Sequence, residues 1–224
     1  MATGLGELIV HRWVYHGRWR WVREADGPLR TLRGFFRAGY VHHFLVHHAD
    51  ARCDEASLLA EGLPAEARRA EHDARHAGHR VALHHSRYGL SGSLWGAIHH
   101  WLMLTVTPVP WAGLAVGAGL GWGFALLFLL PSILFPLSSA GYHPYLHMSA
   151  ATRRRRAPGW VRWLDSTREG RALVVAHYVH HHRPPDCNYN IVPFTGWIGS
   201  ALGLARPPDE GLRKRMEAIG LFDG

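Results

Sequence analysis

The sequence predicts an all-α fold integral to a membrane: one apolar helical hairpin with a cytosolic cap of helices that carries four histidine boxes. Three observations predict it. Between Arg87 and Arg153 there is no Asp, Glu, Lys or Arg, and Trp101 to Gly141 is almost wholly apolar. A spanning helix takes about 20 apolar residues, so this length suits two passes. Arginines crowd both flanks, from Arg12 to Arg37 and from Arg153 to Arg156. The positive-inside rule then places both termini on the cytoplasmic side, where a two-pass hairpin also returns the chain. Finally, histidine is the compositional outlier, with 19 residues against 17 Asp plus Glu, and it recurs at helical spacings.

The 224 residues suffice for one domain. We expect it over 1–205, with a polar helical insertion at 51–87, a membrane hairpin at about 94–141, and a polar tail at 206–224. The net charge of +8 admits nucleic acid, an anionic membrane face or acidic partners. No zinc-finger or helix-turn-helix pattern supports nucleic acid, which is not expected as a partner. Cys53 and Cys187 form no CxxC pair and read as free thiols of a reducing compartment. The first ten residues lack the basic leader of a secretory signal.

In chain order, residues 4–22 read as the end of a helix carrying Glu7, His11 and His16. Trp13, Trp19 and Trp21 interleave with arginines there, the pairing that a membrane interface attracts. Residues 34–50 form a second helical stretch with His42, His43, His47 and His48. Pro64 suits a first helical position inside the insertion; His72, His76 and His79 lie among charges there and read as a solvated face. The hairpin turn falls at Pro108-Val109-Pro110 or in the glycine-rich run up to Gly123. Gly113, Gly117 and Gly121, spaced four apart, would let helices approach closely in lipid. Pro144 perturbs the exit helix. Residues 160–182 read as helical and end before Pro184-Pro185.

The chemistry lies in the histidines. His11 and His16 are five apart, and His43, His47 and His48 make HxxxHH. His143 and His147 are four apart, and His177, His180 and His181 make HxxHH. Residues three and four apart share a helix face, and neutral imidazole suits iron, zinc and copper. A lone HxxxH pair arises often from ordinary helical neighbours; four clusters together point to metal. These ten imidazoles supply two ions with about four to five nitrogens each and leave room for chemistry. Glu7, His42, His182, Asn188 and Tyr189 are candidates for supporting the ligands from behind, as ligating histidines require. A metal-transporting or metal-storing protein is the competing reading. Transport requires polar groups at mid-membrane depth, and Trp101 to Gly141 offers only hydroxyls such as Thr105, Thr107 and Ser132.

Glu7-x-x-x-His11-Arg12-x-x-Tyr15-His16, the HxxxHH, the HxxxH after the apolar stretch, and HxxHH followed by Asn188-Tyr189 resemble the fatty acid hydroxylase and sterol desaturase superfamily over roughly residues 5–200. The resemblance implies an integral membrane non-haem di-iron enzyme whose metals lie under a cytosolic helical cap. It implies two iron ions, which zinc can replace in isolated protein, and molecular oxygen as co-substrate. It also implies a membrane lipid substrate, a fatty acyl chain or a sterol, that is hydroxylated or desaturated. No haem, flavin or ferredoxin module is recognisable, so a separate donor of the ferredoxin or b-type cytochrome class is expected. The sequence departs from the family pattern at Phe44, three before His47, and at Asn190, where the family usually has glycine. The first box is also similar to that of bacterial carotenoid hydroxylases.

Overall fold

The computed structural model describes residues 2–23, 36–37, 39–40, 43–44, 48, 108–123, 125–126, 142–143, 145–183, 187–190 and 193–221. These are mostly helical, and no strand occurs among them. Helix α1 spans Ala2–Ile9 and runs without a break into a π-helix, Val10–Tyr15. A short helix α2 follows at Arg20–Arg23, and α3 covers Pro108–Leu120. The C-terminal half holds α4 (Ala150–Arg156), α5 (Gly159–Ser166), α6 (Arg168–His182), α7 (Gly196–Ala201) and α8 (Glu210–Ala218).

The all-α expectation stands, but the membrane hairpin is corrected. No helix among the described residues is long and apolar enough to cross a membrane. Within the apolar stretch the longest described helix is α3, of 13 residues, with residues 122–123 and 125–126 helical again beyond Gly121. At about 1.5 Å per residue it is about 20 Å long, against about 30 Å of bilayer hydrocarbon. Counting apolar residues overlooked what bounds a helix. Gly121, at φ +102°, takes the chain out of helix directly after Leu120. The placement of the chain as an integral membrane protein, with termini and metal site on the cytoplasmic face, is withdrawn on the same finding. The expected hairpin arms at 94–107 and 127–141 and the insertion at 51–87 lie outside the described residues.

Two apolar clusters position the site. One joins Tyr142 and Leu146 to Val161 and Leu164 of α5, Leu173, Val174 and Val179 of α6, and Leu212, Met216 and Leu221 at the C-terminus. The tail therefore contributes core rather than hanging free. Arg153, 2 % exposed, fastens it by donating to the Leu221 carbonyl at 2.8 Å while pairing with Asp165 at 2.9 Å. The second cluster gathers Val10, Val14, Tyr15, Val22, Phe36 and Tyr40 around the π-helix. Helix α1 packs on both α3 and α7.

Residues 160–182 are not one helix. Thr167, at φ −84° and ψ 158°, caps α6 by accepting from the Gly170 N–H at 3.0 Å. A β-carbon at Gly170 would stand 2.0 Å from the Leu164 carbonyl oxygen, so only glycine lets α5 and α6 meet this closely. The N-cap threonine, a strong start signal, re-aims α6 so that its buried side carries His177, His180 and His181.

Candidate metal centre

Nine of the ten histidines singled out from the sequence meet in two adjacent groups. His11, His16, His43, His48 and His180 form one; His143, His147, His177 and His181 form the other. Within each group the candidate ligand nitrogens all lie within 4.8 Å of one another. His47 and His42 lie outside the described residues. His182 belongs to neither group: its Nδ1–H donates to the Tyr178 carbonyl at 3.0 Å and its ring stacks on Tyr178.

The two groups are built by two different coil pitches. In an α-helix of about 3.6 residues per turn, positions five apart diverge by about 140°. His11 and His16 are five apart, and they come together because the backbone between them is π-helical, with the His16 N–H donating to the His11 carbonyl at 2.9 Å. His43 and His48 repeat the five-residue spacing, and His43 itself lies in π-helical backbone. Such wide turns are rare and concentrate at functional sites. The second group uses spacing of four: His143 with His147, and His177 with His181 on α6. His180, one residue from His181, turns into the first group.

In the first group the Nε2 atoms of His11 and His43 are 2.8 Å apart, those of His43 and His48 3.3 Å, and those of His16 and His180 3.1 Å. In the second, His177 lies 3.2, 3.0 and 3.0 Å from His143, His147 and His181. Nitrogens bound about 2.0–2.1 Å from one ion stand about 2.9–3.4 Å from their neighbours. The observed spacings therefore match ligands around an ion. The rings of His48 and His181 stack at 4.2 Å, so the two groups share a wall.

The electrostatics agree with ligation. Burial pushes His147 down to about 4, with help from the neighbouring charge of His180. Burial likewise takes His180 to about 4, opposed by its hydrogen bond to the Cys187 carbonyl. His16 and His177 are lowered by burial first and then by the surrounding histidines. All four are thus neutral near pH 7, as a metal ligand must be. Two rings also have their tautomer fixed. His11 donates Nδ1–H to the Tyr189 carbonyl at 2.6 Å, and His180 donates Nδ1–H to the Cys187 carbonyl at 2.7 Å. A neutral imidazole has one N–H, so both turn a bare Nε2 lone pair inward. Helix α6 adds its negative C-terminal end close to both groups.

Around this core, Glu7 is 2 % exposed and accepts from Asn190 Nδ2 at 3.1 Å and Thr195 Oγ1 at 3.2 Å. Tyr189 is buried, its ring 5.3–5.7 Å from those of His11, His16 and His180. Asn188 adopts φ +54° and exchanges two hydrogen bonds of 2.9 Å with the main chain of Arg206. Sequence reasoning missed Asn190 and Thr195. The signal available was Glu7 itself, since a carboxylate this close to a buried ligand needs donors from somewhere. No family model, curated protein or solved structure matches the chain, so the site stands on its own geometry.

Proposed function

We propose that the chain is a di-iron oxidoreductase that uses molecular oxygen to hydroxylate or desaturate an apolar substrate such as a fatty acyl chain or a sterol. The observation that carries this reading is the convergence of nine imidazoles into adjacent groups of five and four. Five nitrogens exceed the four that zinc takes in structural sites and suit an ion of higher coordination number. Iron, when bound, supplies the oxygen-activating redox chemistry. His11, His16, His43, His48 and His180 would hold one ion, and His143, His147, His177 and His181 the other. The chain's own task is to keep these rings neutral, to aim their Nε2 atoms and to exclude water. In hydroxylation one oxygen atom enters the C–H bond and the other leaves as water, with two electrons and two protons supplied from outside.

The surface supports both partners. Trp111, Leu114 and Leu120 of α3 are exposed beside α1, the element that leads into His11; this suits an apolar substrate. Arg154, Arg155, Arg156 and Arg162 are exposed on α4 and α5 and suit an acidic electron-donor protein. The test is reconstitution with ferrous iron, a ferredoxin-type donor and lipid extracts under oxygen, with products read by mass spectrometry. Oxidised lipid should form with the intact protein and not with His181→Ala. Oxidation that survives this substitution refutes the assignment.

The group of four has the donor number of a closed tetrahedral zinc site, which favours a second reading, a non-redox metal-binding protein. Stoichiometric metal without donor-dependent oxygen consumption would select it.

A further inference from the structure

Two of the nine ligands receive their orientation from one short segment. Cys187 and Tyr189 offer their carbonyl oxygens to His180 and His11, which come from opposite ends of the chain and belong to the same group of five. That segment is held from both sides. Asn190 Nδ2 donates to the Gly4 carbonyl at 3.0 Å and to Glu7, fixing it on α1. Asn188 fixes it on the other side through Arg206 and through its own N–H, which donates to the Leu204 carbonyl at 2.9 Å. The Tyr189 carbonyl and the Asn190 N–H belong to one peptide plane, so restraining Asn190 restrains the oxygen that holds His11. Glu7 is the one fully buried carboxylate among the described residues. It accepts from Asn190 and Thr195 together, so it ties the segment to the start of α7. A β-carbon at Gly4 would stand 2.5 Å from Ile198 Cδ1, so α1 and α7 are already in close contact here. Nδ1 of His16 in the group of five and Nδ1 of His177 in the group of four have no hydrogen-bond partner among the described residues; the carbonyls of this segment hold His11 and His180, both of the group of five.

We infer that Asn190 and Glu7 are positioning residues for one ion site only, setting ring orientation and tautomer in the group of five through the carbonyls of segment 187–190. The inference rests on the metal reading above and predicts an asymmetry that the reading alone does not. Supporting partners of ligating histidines are typically worth about 10–100-fold in metal affinity, and here that factor falls on one group.

The experiment uses the full chain in two backgrounds. His147→Ala disables the group of four, and His16→Ala disables the group of five. Cobalt(II) affinity is measured in each by its visible absorption and by metal analysis, with and without Asn190→Ala. Affinity should fall about 10–100-fold in the His147→Ala background and stay within twofold in the His16→Ala background. Equal loss in both backgrounds, or none in either, overturns the inference. Should Asn190→Ala not fold, Asn190→Leu, which keeps the size and removes the amide donors to Gly4 and Glu7, carries the same comparison with the same criteria. Absence of cobalt binding by the unaltered protein is a different failure, that of the metal reading itself.

Discussion

Acid should begin to destabilise the metal-free protein well above the carboxylate range. His147 and His180 titrate near 4 in the folded chain and near 6.5 once unfolded. Their folded values are depressed, and the charged form of histidine is the protonated one. The unfolded chain therefore binds more protons between these limits. Stability is fully present above about pH 6.5, declines as pH falls, and the loss is complete below about 4. Between pH 7 and pH 5 each of the two costs about 2 kcal/mol, and the pair about 3–4 kcal/mol. His16 and His177 shift in the same direction and add to this. A domain of ordinary stability has about 5–15 kcal/mol in total, so the midpoint of urea unfolding should drop steeply across this window. The assay is urea denaturation of chelator-treated protein at pH 7, 6 and 5, extrapolated to zero denaturant. Equal or greater stability at pH 5 would refute the claim that these rings are buried and neutral.

Added metal should protect the chain, contributing about 2.7 kcal/mol per site at a hundredfold excess over Kd; calorimetric melting with and without chelator measures it. Arg153→Met should cost about 3–5 kcal/mol in urea unfolding, because it strands Asp165 and the Met148 and Leu221 carbonyls without their donor. Gly170→Ala should destabilise by at least about 1–3 kcal/mol in the same assay, since its methyl group meets the Leu164 carbonyl. His16→Ala should lower bound metal from two ions per chain towards one, by elemental analysis, while leaving the group of four intact.

Much of the site is written in the spacing of its histidines, because imidazoles three or four apart on a helix must face one way. His143 with His147 and His177 with His181 follow that rule directly. His11 with His16 does not: a regular α-helix would splay them, and only the π-helical backbone brings them together. The division of adjacent His180 and His181 between two groups depends on how α6 is aimed by Thr167, a tertiary matter. Asn190 looked like a departure from a family pattern, yet its amide holds Gly4 and Glu7. The hairpin failed for a local reason. Hydropathy over Trp101 to Gly141 measures how apolar a segment is, whereas Gly121 decides where the described helix stops.

The wide coil at Val10–Tyr15 amounts to one residue more than a regular helix would hold over the same rise. Everything before it, including Gly4 and Glu7, is phased to His11, and everything after it is phased to His16. Deleting one residue between those two rings would leave the composition and the hydrophobic content nearly untouched. It would also swing the N-terminal end by about a quarter of a turn and carry His11 and its anchoring carboxylate away from the other four histidines of its group as a unit. The tolerance of this stretch should therefore depend on its length far more than on the identity of its side chains.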